Sequence, residues 1–248
     1  MLRFKLTIAY DGTRYFGWQV QKGRMTVQQR VEEALRELFP SVKRVHSCSR
    51  TDTGVHAMGM VAHVDIPEAE CRMDARKLLL AVNSFLPVDV RIVAARRVPE
   101  EFHARFDAKG KRYFYLIWNH AAMNPLLHNR AWHVKVPLNL ERMQKAAKLF
   151  VGRKDFKSFA STREYEMEST VRRLTRCDVR KEGYTWKITI EGDGFLYKMC
   201  RGIVGTLVRV GQEKLTQTEI RQISRDRDRS VAGMNAPACG LTLWRVFY

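Results

Sequence analysis

Cysteine is scarce in this chain and what there is looks unpaired. Five of the 248 residues are cysteine (Cys48, Cys71, Cys177, Cys200 and Cys239), an odd number, widely scattered and without a C-x-x-C pair. That pattern argues against both a disulfide framework and a zinc site. Cys48, His56 and His63 fit no familiar metal-ligand spacing, so no metal is expected. Long apolar runs are also missing, and none approaches the roughly 18 residues needed to span a bilayer. The start, Met1-Leu2-Arg3-Phe4-Lys5, alternates charge with apolar groups and lacks a signal-peptide core, so a cytoplasmic location is expected. Neither G-x-x-x-x-G-K-[ST] nor G-x-G-x-x-G occurs, which leaves a nucleotide cofactor without local support.

Acidic residues are in short supply. The 44 Lys and Arg outnumber the 26 Asp and Glu, for a net charge of +18. An excess this large points to a polyanionic partner. It is unevenly shared: residues 1–105 carry 17 basic and 12 acidic side chains, residues 106–248 carry 27 and 14. No block of five like charges occurs, so the excess belongs to a folded basic surface rather than a tail. No basic amphipathic helix stands out for membrane binding, and nucleic acid is the expected partner.

The apolar pattern gives an element order. Leu2, Phe4, Leu6, Ile8 and Tyr10 mark one face of a strand ended by Asp11-Gly12. Thr26 and Gln29 read as a capping box for a helix with Val27, Val31, Leu35 and Leu38 inward, stopped by Pro40. Strands are expected over 42–47 and 59–66, a helix behind Asp74 through Phe85, and a strand over 90–98. This β-α-β-β-α-β order is the ferredoxin-like arrangement of many RNA-binding domains. Residues 111–118, apolar on both faces, predict a central buried strand. A helix over 140–151 capped by Asn139, a hairpin around Glu182-Gly183, a helix over 195–210, a short helix behind Thr216 and a last strand over 241–248 complete a second copy. The fold expected is therefore α+β: two ferredoxin-like halves, 1–105 and 106–248, forming one mixed, mostly antiparallel sheet with a central cleft. The polar segment 161–169 lacks a periodic face and is expected to be a mobile loop.

Two places could carry chemistry. In Ser49-Arg50-Thr51-Asp52-Thr53-Gly54-Val55-His56 a single carboxylate lies between a cation and two hydroxyls, on a loop leading into a strand. Asp52 is either a functional carboxylate or the acceptor of a structural Asx turn. Arg201 lies in a helical stretch with almost no polar face, where a cation needs an anion. Its partner is either a nearby carboxylate, Glu191 or Asp193, or Asp52 across a cleft, where the pair would keep the Asp ionised. Tyr113, after Lys111-Arg112, is either a core aromatic or a ring that stacks on an extruded base.

Arg50-Thr51-Asp52 with Gly54-Val55-His56-Ala57, Gly59 and Val61-Ala62-His63 resembles the active-site motif of the tRNA pseudouridine synthase A family. The likeness extends in order through Tyr10-Asp11-Gly12-Thr13 with Phe16-Gly17-Trp18-Gln19, Phe102-His103-Ala104-Arg105, Lys111 to Asn119, Phe195 to Gly211, and Ala236-Pro237 with Gly240-Leu241. Ser49, Thr53, Met60, Lys198, Cys200 and Gly202 depart from the family's usual residues. The resemblance implies that Asp52 is the nucleophile, Arg201 its partner and Tyr113 the active-site aromatic. It further implies that Arg50 helps extrude the target nucleotide and that Leu241 lies in the substrate site. It implies isomerisation of uridines 38, 39 and 40 in the anticodon stem-loop of tRNA, by a homodimer, with no cofactor or metal. A noncatalytic RNA-binding protein of two such halves would share the charge and element order. A metal-dependent nuclease would need a second carboxylate near Asp52, for which Asp65 is the candidate.

Overall fold

In a computed structural model the described residues are 1–161, 169–228 and 233–248. The chain divides into two compact units, Met1–Lys109 with Leu243–Tyr248, and Gly110–Thr242.

In the first unit, strand β1 (Leu2–Tyr10) alternates buried and half-buried positions, as its sequence pattern requires. It pairs antiparallel with β3 (His56–Ile66), Leu2 opposite Ile66, and with β4 (Val90–Val98), Tyr10 opposite Val90. The two-residue β2 (His46–Ser47) adds to β3. Helix α1 (Val27–Arg36) is capped by the Thr26 hydroxyl, which accepts from the Gln29 N–H. The expected capping box is only half built: the Gln29 side-chain oxygen does not accept from the Thr26 N–H, and its Nε2 donates forward to Glu33. Helix α2 (Ala75–Phe85) starts at Asp74, whose carboxylate accepts from the Lys77 N–H. Leu2, Phe4, Leu6, Ile8 and Tyr10 of β1, Met60, Ala62, Val64 and Ile66 of β3, and the inward helix positions Val31, Leu35, Leu78 and Val82 are buried. This is the expected β-α-β-β-α-β order.

The segment after β4 is strapped to the outer face of this sheet. The Ala104 N–H donates to His63 Nδ1 (3.1 Å), and the Tyr248 hydroxyl donates to the Ala104 carbonyl (2.7 Å). Arg3 donates to the Phe102 carbonyl (2.9 Å), and the Lys109 N–H to the Phe247 carbonyl (2.9 Å). The rings of His46 and His103 lie 5.1 and 4.8 Å from that of His63.

The second unit holds β5 (Gly110–Asn119), β9 (Thr185–Gly192), β8 (Val171–Glu182) and β7 (Gly152–Asp155) in that spatial order, all antiparallel, with β6 (Trp132–Val134) parallel to β5. Helices α3 (Leu140–Ala147), α4 (Met199–Gly211) and α5 (Gln217–Asp226) belong to it. Strand β10 (Leu241–Phe247) begins in this unit and ends in the first. The fold class is α+β with mixed, mostly antiparallel pairing.

Several boundaries differ from the sequence reading. Strand β5 buries Tyr113, Tyr115 and Ile117, but Phe114, Leu116 and Trp118 on its other face are half-exposed, with the Lys187 ammonium 4.7 Å from the Phe114 ring centroid. A strand apolar on both faces thus has one buried face and one half-exposed face, on which a long cationic side chain lies over Phe114. The helix expected from Phe195 starts only at Met199, because Lys198 adopts a left-handed backbone (φ 58) that α-helix cannot continue through. The helix expected to reach Val151 ends at Ala147 and tightens into a 3-10 turn, Lys148–Phe150. Gly152 opens β7, whose residues Arg153, Lys154 and Asp155 are charged in the manner of an edge strand and carry no apolar alternation. Thr216 and Glu219 do form a full capping box for α5. Most of the segment 161–169 lies outside the described residues. Among the described residues no helix is long and apolar enough to cross a membrane.

Candidate active site

The loop that carries Asp52 is held by the loop that follows β1. The Trp18 N–H donates to the Thr51 carbonyl (3.2 Å), and the Gly54 N–H reaches the Tyr15 carbonyl (3.4 Å). A side chain on Gly17 would place its Cβ 2.5 Å from the Thr51 carbonyl oxygen, so only glycine permits this approach. The Gly12 N–H donates to His56 Nδ1 (3.0 Å), which also lies 3.2 Å from an Asp11 carboxylate oxygen. Beneath the loop, the Tyr10 hydroxyl is 2.7 Å from Thr51 Oγ1 in a buried contact. Burial pushes the Tyr10 phenol well above its usual range, so it remains a neutral hydroxyl.

Asp52 itself is half-buried, and Arg50, two residues earlier, is exposed. The turn is closed through the Asp52 backbone, whose carbonyl accepts from the Val55 N–H (3.1 Å), with Gly54 in the left-handed region (φ 76). Asp65 stands elsewhere on β3, opposite Arg3, and accepts two bonds from its guanidinium (2.6 and 2.7 Å). Its charge is neutralised there, and the Arg3 guanidinium holds its carboxyl below the usual carboxylate range. Among the described residues no group of three or more His, Cys, Asp or Glu is arranged to hold a metal ion. A cavity of about 500 Å³ in the same unit is lined by Arg14, Tyr15, Arg30, Phe85 and Asp89 and includes neither Asp52 nor Arg50.

The second unit carries Tyr113, Arg201 and Leu241. Tyr113 is buried on β5, its ring edge-on to Phe195 with centroids 5.0 Å apart. Arg201 sits half-buried in the first turn of α4. Its Nε donates to the Ala236 carbonyl (2.7 Å), and the Ala236 N–H returns to the Arg201 carbonyl (3.0 Å). The Tyr115 hydroxyl donates to the next carbonyl, Pro237 (2.8 Å), and Gly240 packs against the Tyr115 ring. The segment leading to the buried Leu241 is thus tied to both α4 and β5. The two local carboxylates considered for Arg201 are engaged elsewhere. Glu191 pairs with Arg112, and Asp193 accepts from the Arg173 N–H (3.1 Å). Gly202, one of the departures from the family pattern, lies so close to the Phe159 carbonyl that no Cβ fits.

Sequence reading placed Tyr10 and Tyr115 as inward strand residues within stretches that resemble the family's, and gave neither a role at the site. Both turn out to end in hydroxyls that hold a site loop. The one available signal was that both tyrosines lie inside motif stretches at the ends of which the candidate loops begin.

A family model described as tRNA pseudouridine synthase matches residues 6–107 and 146–248. The chain belongs to this tRNA pseudouridine synthase family. It is 45% identical to the tRNA pseudouridine synthase A of Ruminiclostridium cellulolyticum over 249 residues, covering all of both chains. With the protein of the same name from Acetivibrio thermocellus it shares 43% over 248 residues, again full length on both sides. With that of Methylacidiphilum infernorum it shares 39% over 245 residues, covering 99% of this chain and 95% of the other. The first matched block contains both the Asp52 loop and the loop that holds it, and the second contains Arg201 and Leu241. Tyr113 falls between the two blocks.

Proposed function

We propose that this chain converts uridines 38, 39 and 40 of the tRNA anticodon stem-loop to pseudouridine, with Asp52 as nucleophile. The reaction breaks the bond from ribose C1′ to uracil N1, turns the base and joins C1′ to C5. The proton on C5 is lost and N1 gains one, so no electrons are transferred and no group leaves; the chemistry calls for no redox or group-carrying cofactor. Asp52 attacks either the ribose at C1′ or the uracil ring; its bond holds one of the two pieces while the pocket holds the other, and that bond breaks again by the time the C1′–C5 product is released. Arg201 serves as its counter-ion, Tyr113 offers a ring to the turned base, and Leu241 lines the pocket. Arg50, exposed two residues before Asp52, takes the place or the phosphate of the extruded nucleotide. The basic residues of the second half carry phosphate contacts, in keeping with their share of the charge. By family resemblance the working form is a cytoplasmic homodimer that holds one tRNA on its joint surface.

The observation that supports this reading best is the construction of the Asp52 loop. Two motifs some forty residues apart in sequence meet at a single turn, fixed by backbone and hydroxyl bonds on both sides of one carboxylate. Such fixing suits a group whose position must be exact rather than one that merely contacts solvent.

The test is Asp52→Ala. Release of tritium from [5-³H]uridine-labelled tRNA should vanish, while tRNA affinity in gel shift stays within about threefold, since one carboxylate contributes little to a charge-dominated interface. Substantial residual turnover would remove Asp52 from its role. Carbodiimide mapping of pseudouridine in the product tRNA tests the assignment to positions 38–40. Tight binding with no turnover by the unaltered chain would leave an RNA-binding protein.

A further inference from the structure

Tyr10 closes β1 at a point where the chain is held from both sides. Its backbone pairs with Ala57 of β3 and with Val90 of β4; the β3 ladder shifts register between Ile8 and Tyr10, and the β4 ladder between Thr7 and Ile8. Such bulges re-aim a side chain at the end of a strand. The ring is 5% exposed, and the fully buried Trp18 lies 6.0 Å away at a tilt of 36°. From this anchored position the hydroxyl meets Thr51 Oγ1, which adjoins Asp52 in the chain. Thr51 is itself fixed a second time, through its carbonyl to Trp18. On the far side of Asp52, the Gly54 and Val55 N–H groups are held by Tyr15 and by Asp52 itself.

From this geometry we infer that Tyr10 and Thr51 are positioning residues for Asp52. Neither hydroxyl touches substrate; together they set where the carboxylate stands by fixing the residue immediately before it. The inference rests on the reading of Asp52 as nucleophile. It predicts a particular division between binding and chemistry. Loss of the bond lets residue 51 drift, which misplaces Asp52 relative to its target but leaves the phosphate contacts intact. A displacement on the order of 1 Å at a reacting group costs about 10²-fold in rate.

The experiment compares Tyr10→Phe, Thr51→Val and Thr51→Ser in the full-length chain, with Asp52→Ala as reference, by steady-state and single-turnover tritium release. Tyr10→Phe removes one oxygen and conserves the ring. Thr51→Val conserves shape and removes the hydroxyl, whereas Thr51→Ser retains it. Expected are kcat losses of about tenfold to 10²-fold in the first two, KM for tRNA within about twofold, and recovery to within about threefold in Thr51→Ser. Combining Tyr10→Phe with Thr51→Val should cost little more than the worse single change, because both remove one bond. Since the Tyr10 phenol stays neutral, the loss should be the same at neutral and mildly alkaline pH. Thermal melting is recorded alongside. Unchanged kcat in Tyr10→Phe, whether or not its melting point falls, overturns the inference and leaves a purely structural bond. If Thr51→Val does not fold, Tyr10→Phe and Thr51→Ser decide the matter. Residual turnover in Asp52→Ala, by contrast, would sink the reading of Asp52 itself.

Discussion

Arg201 shows how much a single residue's surroundings limit substitution. Its Nε is committed to the Ala236 carbonyl, and the returning Ala236 N–H fixes the same segment to the start of α4. A guanidinium can make that bond and still present its two terminal nitrogens in a plane, a geometry suited to a carboxylate. Lysine supplies the charge on a single flexible nitrogen. Arg201→Lys is therefore expected to lower turnover by about 10²-fold or more while tRNA binding stays within a few-fold, as read by tritium release and gel shift on one preparation. A double-mutant cycle of Arg201→Met with Asp52→Asn measures whether the two residues act as the proposed pair. Strict additivity would return Arg201 to a role confined to the 236–240 segment.

At the scale of elements, the strap over 99–109 depends on a neutral imidazole. His63 can accept from the Ala104 N–H only while its Nδ1 carries no proton. Burial, followed by the charges of Arg3, His46 and His103, depresses its pKa from the ordinary 6.5 to about 4, against the weaker opposing pull of Asp65. The unfolded chain therefore takes up the proton more readily than the folded one. The stability this group contributes is complete above about pH 6.5 and is lost as pH falls through about 4. Burial also lowers the pKa of His103, which adds to the same slope. His63→Gln keeps an acceptor that cannot titrate. Its melting temperature should fall less steeply than that of the unaltered chain between those two pH values. Parallel curves would show that His63 does not carry the effect. The Asp52 loop is a second case of one element held by another: its bonds to the 12–18 loop are mostly backbone bonds, so their strength owes little to pH.

For the molecule as a whole the governing quantity is charge. A net +18, concentrated in residues 106–248, has to be reconciled with marginal stability, and a polyanionic partner relieves the self-repulsion. If phosphate contacts supply most of the affinity, the logarithm of the tRNA binding constant should fall linearly with the logarithm of salt concentration. The slope should be about 0.7 to 0.9 for each phosphate neutralised, giving a total of several. Fluorescence anisotropy across a salt series measures it. A flat response would contradict an RNA footprint and point back to a small-molecule substrate.

The sequence by itself determined the class of partner, the element order of the first unit and the identity of the loop at which chemistry is expected. Those are local or additive properties. Alternation in Leu2 to Tyr10 sets a strand face, Asp74 and Thr216 supply caps through their own side chains, and net charge is a sum over residues. Short elements escaped it: β6 is three residues long, and β7 is charged throughout after its glycine, so neither shows a period. The start of α4 escaped it too, because the apolar residues before Lys198 fit a helical pattern that its left-handed backbone interrupts. Only the tertiary structure decided which side chains act at a distance in the chain. Nothing in the spacing of Tyr10 and Thr51, Ala104 and His63, or Tyr115 and Pro237 marks them as bonded pairs. Each bond joins residues more than forty positions apart, and such meetings depend on strand register and helix packing, which local pattern does not encode.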